Sequence, residues 1–353
     1  MTHTFRPQRR RIVFGGALAA LAPSLVQAQA RTVTDSVGRR VQLPARVERV
    51  YAAGPPASIL LFALAPERLL GWTSPFRPAE RPFVPSRYAD LPTLGRLTGR
   101  GNTANVEVVI GAKPDLIFDY GTVSPTLASL ADRVQEQTGI PYLLIDGAFD
   151  RIPEAFRLLG DIVSAGEQAL AWSSYSARTL DEVRARVARV PEGRRPRVYY
   201  GRGPNGLQTG LSGSINMETL ERVGAANVAA ELGRGGLVQV SIEQVLNWSP
   251  DVIVTTDPNF FASVWRDPSW QPLPAVRERR VHLAPGLPFG WIDFPPSINR
   301  LIGLHWLGRL LHPALFPEPL RPIARDFYAR AYHQAPSDAQ LDALLTQEKP
   351  PGS

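Results

Sequence analysis

Two carboxylates and their surroundings are the first sign of chemistry in this chain. "NVEVVIGAKPDLI" spans Asn105–Ile117 and "SIEQVLNWSPDVIV" spans Ser241–Val254. In each, a glutamate (Glu107, Glu243) is followed by Val two residues on and an aliphatic residue three on. Pro-Asp stands at seven and eight, and an apolar run follows. Asn105 and Ser241 are good helix N-caps. They put each glutamate in a first helical turn, where the helix dipole favours a carboxylate by ~0.3–1 kcal/mol. Pro114 and Pro250 end the helices, and Asp115 and Asp251 lead into buried strands. The dipole alone suffices to explain a first-turn glutamate. The matched pair admits a second explanation, a partner whose two arginine sites read both carboxylates.

A second group of residues suits ligand capture. Four Gly/Pro-rich stretches follow apolar runs, where the ends of strands bind ligands in α/β folds. "GRLTGRGNTAN" offers Arg96 and Arg100, and "DYGTVSP" offers Tyr120. "YYGRGPNGLQTGLSGSIN" offers Tyr200, Arg202 and a helix start at Ser214–Asn216. "PGLPFGWIDFPPSIN" offers Phe289, Trp291 and Asp293. Arginine forks hold carboxylate, catecholate or hydroxamate oxygens, and aromatic faces hold an organic shell. Amides at the Ser214 and Asn216 helix start suit an oxyanion instead. A metal chelate and an oxyanion therefore both stay open. His305, beside Trp306 on an apolar helical pattern, is read as packing.

Enzymatic alternatives fail on context. "GRGPNG" at Gly201–Gly206 matches G-x-G-x-x-G after a predicted strand, yet Pro204-Asn205-Gly206 reads as a turn and no helix opens there. "GLSGS" is not G-x-S-x-G. The five histidines are scattered and no H-E-x-x-H occurs. No cysteine is present, which excludes disulfides, thiolate metal sites and lipid attachment at a cysteine. No catalytic residue, cofactor or protein-held metal is expected.

The elements that must position these groups alternate. Strand-like runs occur at "RVERVYAAG", "PDLIFDYG", "PYLLIDG", "PRVYYGRG", "PDVIVTTD" and "RVHLAPG". Helical patterns such as "SPTLASLADRVQEQTG" lie between them, so the fold class is α/β with mostly parallel sheets. One segment, Pro153–Val190, is helix-permissive throughout and is stopped by "PEGRRP". The expected architecture is two Rossmann-like lobes with central parallel sheets, bridged by a single long helix. The boundaries are a leader at 1–30, a lobe at 31–152, the bridging helix at 153–190, a second lobe at 191–335 and a tail at 336–353.

The chain has 353 residues, 44% of them hydrophobic, and a net charge of +7. Four arginines and no acid fall in residues 1–30, which leaves +3 for the remainder. So small an excess argues against nucleic-acid binding. "RRR" at Arg9–Arg11, the 15-residue apolar run Ile12–Val26 and "AQA" at Ala28–Ala30 have the order of a cleaved export signal. The arginine pair also resembles a twin-arginine signal. The expected location is the periplasm, in soluble form without a lipid anchor.

Taken together, the leader, the opening "TVTDSVGRRVQLPARVERVYAAGP", the two Glu…Pro-Asp devices and the long helix between them resemble a known family. It is the class III periplasmic substrate-binding proteins of ABC importers for ferric siderophores and cobalamin. The resemblance covers roughly residues 31–335. It implies a ligand held between two lobes, a rigid helical bridge, and a monomer docking on a permease dimer through Glu107 and Glu243. An iron-siderophore-type chelate is the expected ligand. Cobalamin and haem are alternatives within the same fold, and so are molybdate and tungstate, because "GRGPNGLQTGLSGSIN" and "PFGWIDFPPSIN" also resemble the oxyanion-binding members.

Overall fold

A computed structural model describes residues 1–3, 31–99, 101 and 104–346. Most of the leader, Arg100 and the last seven residues lie outside the described residues. Among the described residues, no helix is long and apolar enough to cross a membrane.

The first lobe opens with a hairpin, β1 (Arg31–Thr34) against β2 (Arg40–Leu43). Its turn is built on Asp35. That buried carboxylate accepts the amides of Val37, Arg39 and Leu144 and the Arg39 guanidinium, while Gly38 closes the turn at φ 84°. The "TDSVGRR" opening therefore ties the hairpin to the lobe. β3 (Val50–Ala52), α1 (Pro55–Leu64), α2 (Ser86–Ala89), α3 (Val106–Ala112), β4 (Leu116–Gly121), α4 (Pro125–Thr138) and β5 (Tyr142–Asp146) follow. The strands form a parallel sheet in the order β3-β4-β5, with Val50 opposite Leu116 and Ile117 opposite Tyr142.

The bridging segment is not one helix from 153 to 190. It divides into α5 (Ile152–Ile162) and the 22-residue α6 (Gly166–Val187). Ser164, at φ 58°, reverses the chain between them. Gly160 permits the reversal, since a Cβ there would come within 2.2 Å of Ala169 Cβ. The long helix that bridges the lobes is α6, about 33 Å at 1.5 Å per residue. Helical periodicity runs through both halves, so pattern alone cannot find the break.

The second lobe contains β6 (Arg197–Gly201), β7 (Gln208–Gly210), α7 (Glu218–Arg222), β8 (Ala226–Asn227), β9 (Leu237–Gln239), α8 (Ile242–Trp248) and β10 (Val252–Thr255). α9 (Pro258–Ser263), α10 (Pro274–Arg277), β11 (Val281–Leu283), α11 (Arg300–Leu311), α12 (Leu320–Ala331) and α13 (Asp338–Thr346) complete the chain. A parallel sheet runs β11-β10-β6-β8, and β7 pairs antiparallel with β9. α13 lies within 336–353, the stretch read from sequence as a tail. It is packed, with Leu341 and Leu344 fully buried and Gln340 bonded to the Pro82 carbonyl.

Alternation along the strands distributes the core. Tyr51, Ile117 and Leu144 face one apolar cluster on the outside of the first sheet. Tyr199, Ile253 and Val281 face another on the outside of the second. The opposite faces, with Val50, Phe118, Val198 and Val254, enter one continuous core with α1, α5, α6, α11 and α12. The lobes thus share a core. Arg300, fully buried, adds a polar tie across it. Its Nη2 donates to the Gly147 carbonyl of the first lobe (2.6 Å) and its Nη1 to Glu218 of the second (2.8 Å), and it lies 4.4 Å over the Phe149 ring. A charge so placed must be paired to be tolerated.

Candidate functional site

Between the lobes lies a cleft of about 650 Å³ at the carboxyl ends of the parallel strands. The first lobe supplies Pro55 and Pro56 at the start of α1, Thr98 and Gly99, Asp119 to Thr122 at the end of β4, and an aromatic corner. That corner is Trp72 packed on Phe76 (4.8 Å between centroids), with Phe289 of the second lobe 5.9 Å from both. The second lobe also supplies Arg202, just after β6, then Asn216 and the run Asp293–Pro296.

Asp293 organises the wall of the second lobe. It is buried, and its carboxylate accepts four hydrogen bonds: from Tyr200 Oη (3.0 Å), Arg202 Nε (2.9 Å), Asn216 Nδ2 (2.9 Å) and the Phe294 amide (2.8 Å). Arg202 Nη1 is held in turn by Gln208 Oε1 at 2.6 Å. Burial and the neighbouring Asp293 carboxylate raise the Tyr200 phenol well above its ordinary range, so it stays neutral and donates.

Of the residues singled out in sequence, Arg202, Asn216, Tyr120 and Phe289 line the cleft together. Tyr120 is buried, and its hydroxyl lacks a well-formed hydrogen bond among the described residues. Tyr200 stands behind Asp293 rather than on the cleft wall. Two further assignments are corrected. Trp291 is fully buried in the shared core, its Nε1 donating to Tyr328 Oη at 2.9 Å. Ser214 is buried off the cleft, and no helix starts at Ser214–Asn216; α7 begins at Glu218 and has five residues. A Gly-rich turn precedes it, with Gly213 at φ 74°. Arg100 lies outside the described residues, while Arg96 lines the cleft and donates to the Gly101 carbonyl.

Sequence reasoning missed Asp119, Phe294 and Phe76. Asp119 carried a readable signal, an acid near the end of the apolar run "PDLIFDYG", where α/β ligands bind. It is buried at the cleft beside Thr98, and burial pushes its carboxyl up to about 6, against the hydrogen bonds of Thr98 and the Tyr120 amide.

The two glutamate devices are nearly superposable in their bonding. Asn105 Oδ1 accepts from the Val108 amide and Ser241 Oγ from the Gln244 amide. α3 ends at Lys113 (φ 49°) and α8 at Ser249 (φ 45°). Arg49 bonds the carbonyls of Ala112 and Lys113, and Arg197 bonds that of Trp248. Asp115 accepts the Arg49 amide at 2.8 Å and Asp251 the Arg197 amide at 2.9 Å. The shared "RVY" at Arg49–Tyr51 and Arg197–Tyr199 belongs to the same repeat and was a sequence signal left unused. Glu107 and Glu243 are both exposed. The Glu243 carboxylate is held below its usual range by its own backbone amide and the Ser241 hydroxyl.

Asp119 allows a direct check. A carboxyl whose folded value is raised favours folding at low pH, and that contribution is lost as pH rises through about 6. At pH 7.5 the buried carboxylate costs the fold up to about 3 kcal/mol. Asp119→Asn is expected to raise the melting midpoint at pH 7.5, with the gain fading below about pH 4. Equal midpoints at pH 7.5 would contradict the burial of an ionised carboxylate.

Comparison with known proteins agrees with this architecture. Residues 84–286, more than half the chain, match the periplasmic binding protein family model. An ABC transporter solute-binding protein of Sulfurospirillum deleyianum is 31% identical, with TM-score 0.82 over 90% of this chain and 100% of that one. The molybdate-binding protein MolA of Haemophilus influenzae is 25% identical over 86% of this chain and 91% of its own length. A cobalamin-binding protein of Halobacterium salinarum is 28% identical over 64% of this chain and 58% of its own. With two parallel-sheet lobes, a bridging helix and a cleft between them, the chain belongs to the periplasmic binding protein family, among the class III substrate-binding proteins of ABC importers.

Proposed function

We propose that the cleft captures a metal chelate of the iron-siderophore type and that the protein delivers it to the permease of its importer. The observation that carries this reading is the size and lining of the cleft. About 650 Å³ suits an organic ligand, and a tetrahedral oxyanion would fill only a small part of it. The aromatic corner and the proline-rich edges offer apolar surface for an organic shell. The charged groups of the cleft balance, with Arg77, Arg96 and Arg202 against Glu80, Asp119 and Asp293. Asn216 and Arg202 supply polar groups for the ligand oxygens.

A second reading is an oxyanion such as molybdate or tungstate, favoured by the similarity to MolA over most of both chains. Titration separates the two. Trp72 lines the cleft, so its fluorescence reports occupancy. Ferric siderophores, haem, cobalamin, molybdate and tungstate are titrated into the purified protein. A saturable change with a ferric chelate and none with molybdate is expected. A response to molybdate or tungstate alone would replace the chelate by an oxyanion.

Delivery rests on Glu107 and Glu243, each exposed in the first turn of a capped helix. The exposed Val108 and Ile110 beside Glu107 support a contact surface there. One chain carries both carboxylates, so a monomer suffices to engage a two-fold permease. Glu107→Arg with Glu243→Arg is expected to abolish uptake while ligand affinity stays within about twofold, since neither residue lines the cleft. Uptake retained in the double variant would remove both residues from docking.

A further inference from the structure

Three hydrogen bonds that cross between the lobes converge on one side chain. Arg300, fully buried at the start of α11, donates from Nη2 to the Gly147 carbonyl of the first lobe at 2.6 Å. Its Nη1 donates to Glu218 at 2.8 Å, and the other oxygen of that carboxylate accepts the Phe149 amide of the first lobe at 2.9 Å. Its Nε donates to the Ser297 carbonyl at 3.1 Å, and the hydroxyl of that serine donates to the Pro56 carbonyl of the first lobe at 2.7 Å. Nη1 also reaches the Ile215 carbonyl at 3.3 Å.

These bonds lead to the cleft from both sides. Pro56 of the first lobe and Ile215 of the second line it, and Tyr120 of the first wall lies beside the guanidinium. Gly147 is pressed against the end of β4, since a Cβ there would meet Gly121 Cα at 2.8 Å and Tyr120 Cζ at 3.3 Å. The carbonyl that Arg300 grips is therefore a firm part of the first wall. The apolar core shared by the lobes acts differently. Apolar attraction is non-directional, so it holds the lobes together without fixing their separation. A planar guanidinium presents its donors in fixed directions and does fix it.

We propose that Arg300 is the positioning residue that sets the width of the ligand cleft, by holding backbone of both lobes on one guanidinium. Without the fork, the carbonyls of Gly147, Ile215 and Ser297 lose a donor inside a buried seam. Buried carbonyls left unpaired recruit water, and water enters by parting the lobes. The pair between Arg222 and Asp150 at the outer edge of the seam stays bonded, so the lobes swing apart on the cleft side. The inference concerns the cleft itself and holds for any ligand.

The sequence contains no cysteine, so two introduced spin labels report the separation of the lobes without background. Thr126→Cys and Asn259→Cys place them at exposed second positions of α4 and α9, the helices that follow β4 and β10. In the purified protein carrying this pair, Arg300→Met removes both fork and charge, and Arg300→Lys keeps the charge without the fork. Double electron–electron resonance is expected to give one narrow distance for the parent. In both variants the mean should lengthen by about 3 Å, the width of an admitted water layer. A lower melting midpoint with an unchanged distance would reduce Arg300 to a stabilising contact and overturn the inference. Lengthening in the Met variant alone would overturn it too, since charge rather than the fork would then set the width. Should Arg300→Met fail to fold, the distance in Arg300→Lys decides.

Discussion

The second-lobe wall of the cleft depends on one buried carboxylate. Asp293 is 1% exposed, and a charge so buried is tolerable only when its acceptor capacity is filled. Four donors from four different places in the lobe fill it. Tyr200 comes from β6, Arg202 from the residue after that strand, Asn216 from the turn before α7, and the Phe294 amide from the adjacent peptide. The need to satisfy one ion thus fixes the directions of several side chains at once. It also largely neutralises the arginine that a sequence reading takes for a free anion receptor.

The opposite wall is held by different means. Asp119 and Tyr120 lie near the end of the central strand β4, opposite Leu144 and Ile145 of β5, and α1 is buried along nearly its whole length. The two walls are not independent bodies. One continuous core runs beneath both, and Arg300 bonds across it to Gly147 and Glu218. Ser297, three residues upstream, donates to the Pro56 carbonyl at 2.7 Å, again from one lobe to the other. Close packing of this kind resists deformation. It favours small adjustments of loops at the cleft over a wide opening of the lobes.

How much of this was legible in sequence varies with the physics that sets each feature. The glutamate devices were readable because caps, dipole and proline stops act locally, and their bonding repeats in the two lobes down to Asp115 and Asp251. The alternation of strands and helices was readable for the same reason. The break at Ser164 was not, because both flanking segments keep helical periodicity, and the close approach that Gly160 permits to Ala169 is a tertiary contact. Trp291 was misplaced because a Gly/Pro-rich loop says nothing about which side chains turn inward. It fills the core, while Phe294, three residues on, meets the solvent. Ser214 failed because a turn of glycines mimics a helix start. Asp119 needed only the rule that strand ends carry ligands.

The central claim is that one ligand is gripped by both lobes at once. Backbone hydrogen exchange tests it most directly, measured on the free protein and with a ferric tris-catecholate, a ferric trihydroxamate and molybdate in turn. For whichever of them binds, slowed exchange is predicted in 119–122 of the first lobe and in 290–297 of the second, with the α3 and α8 amides unchanged. Protection confined to one lobe, or lying outside both segments, would contradict the account.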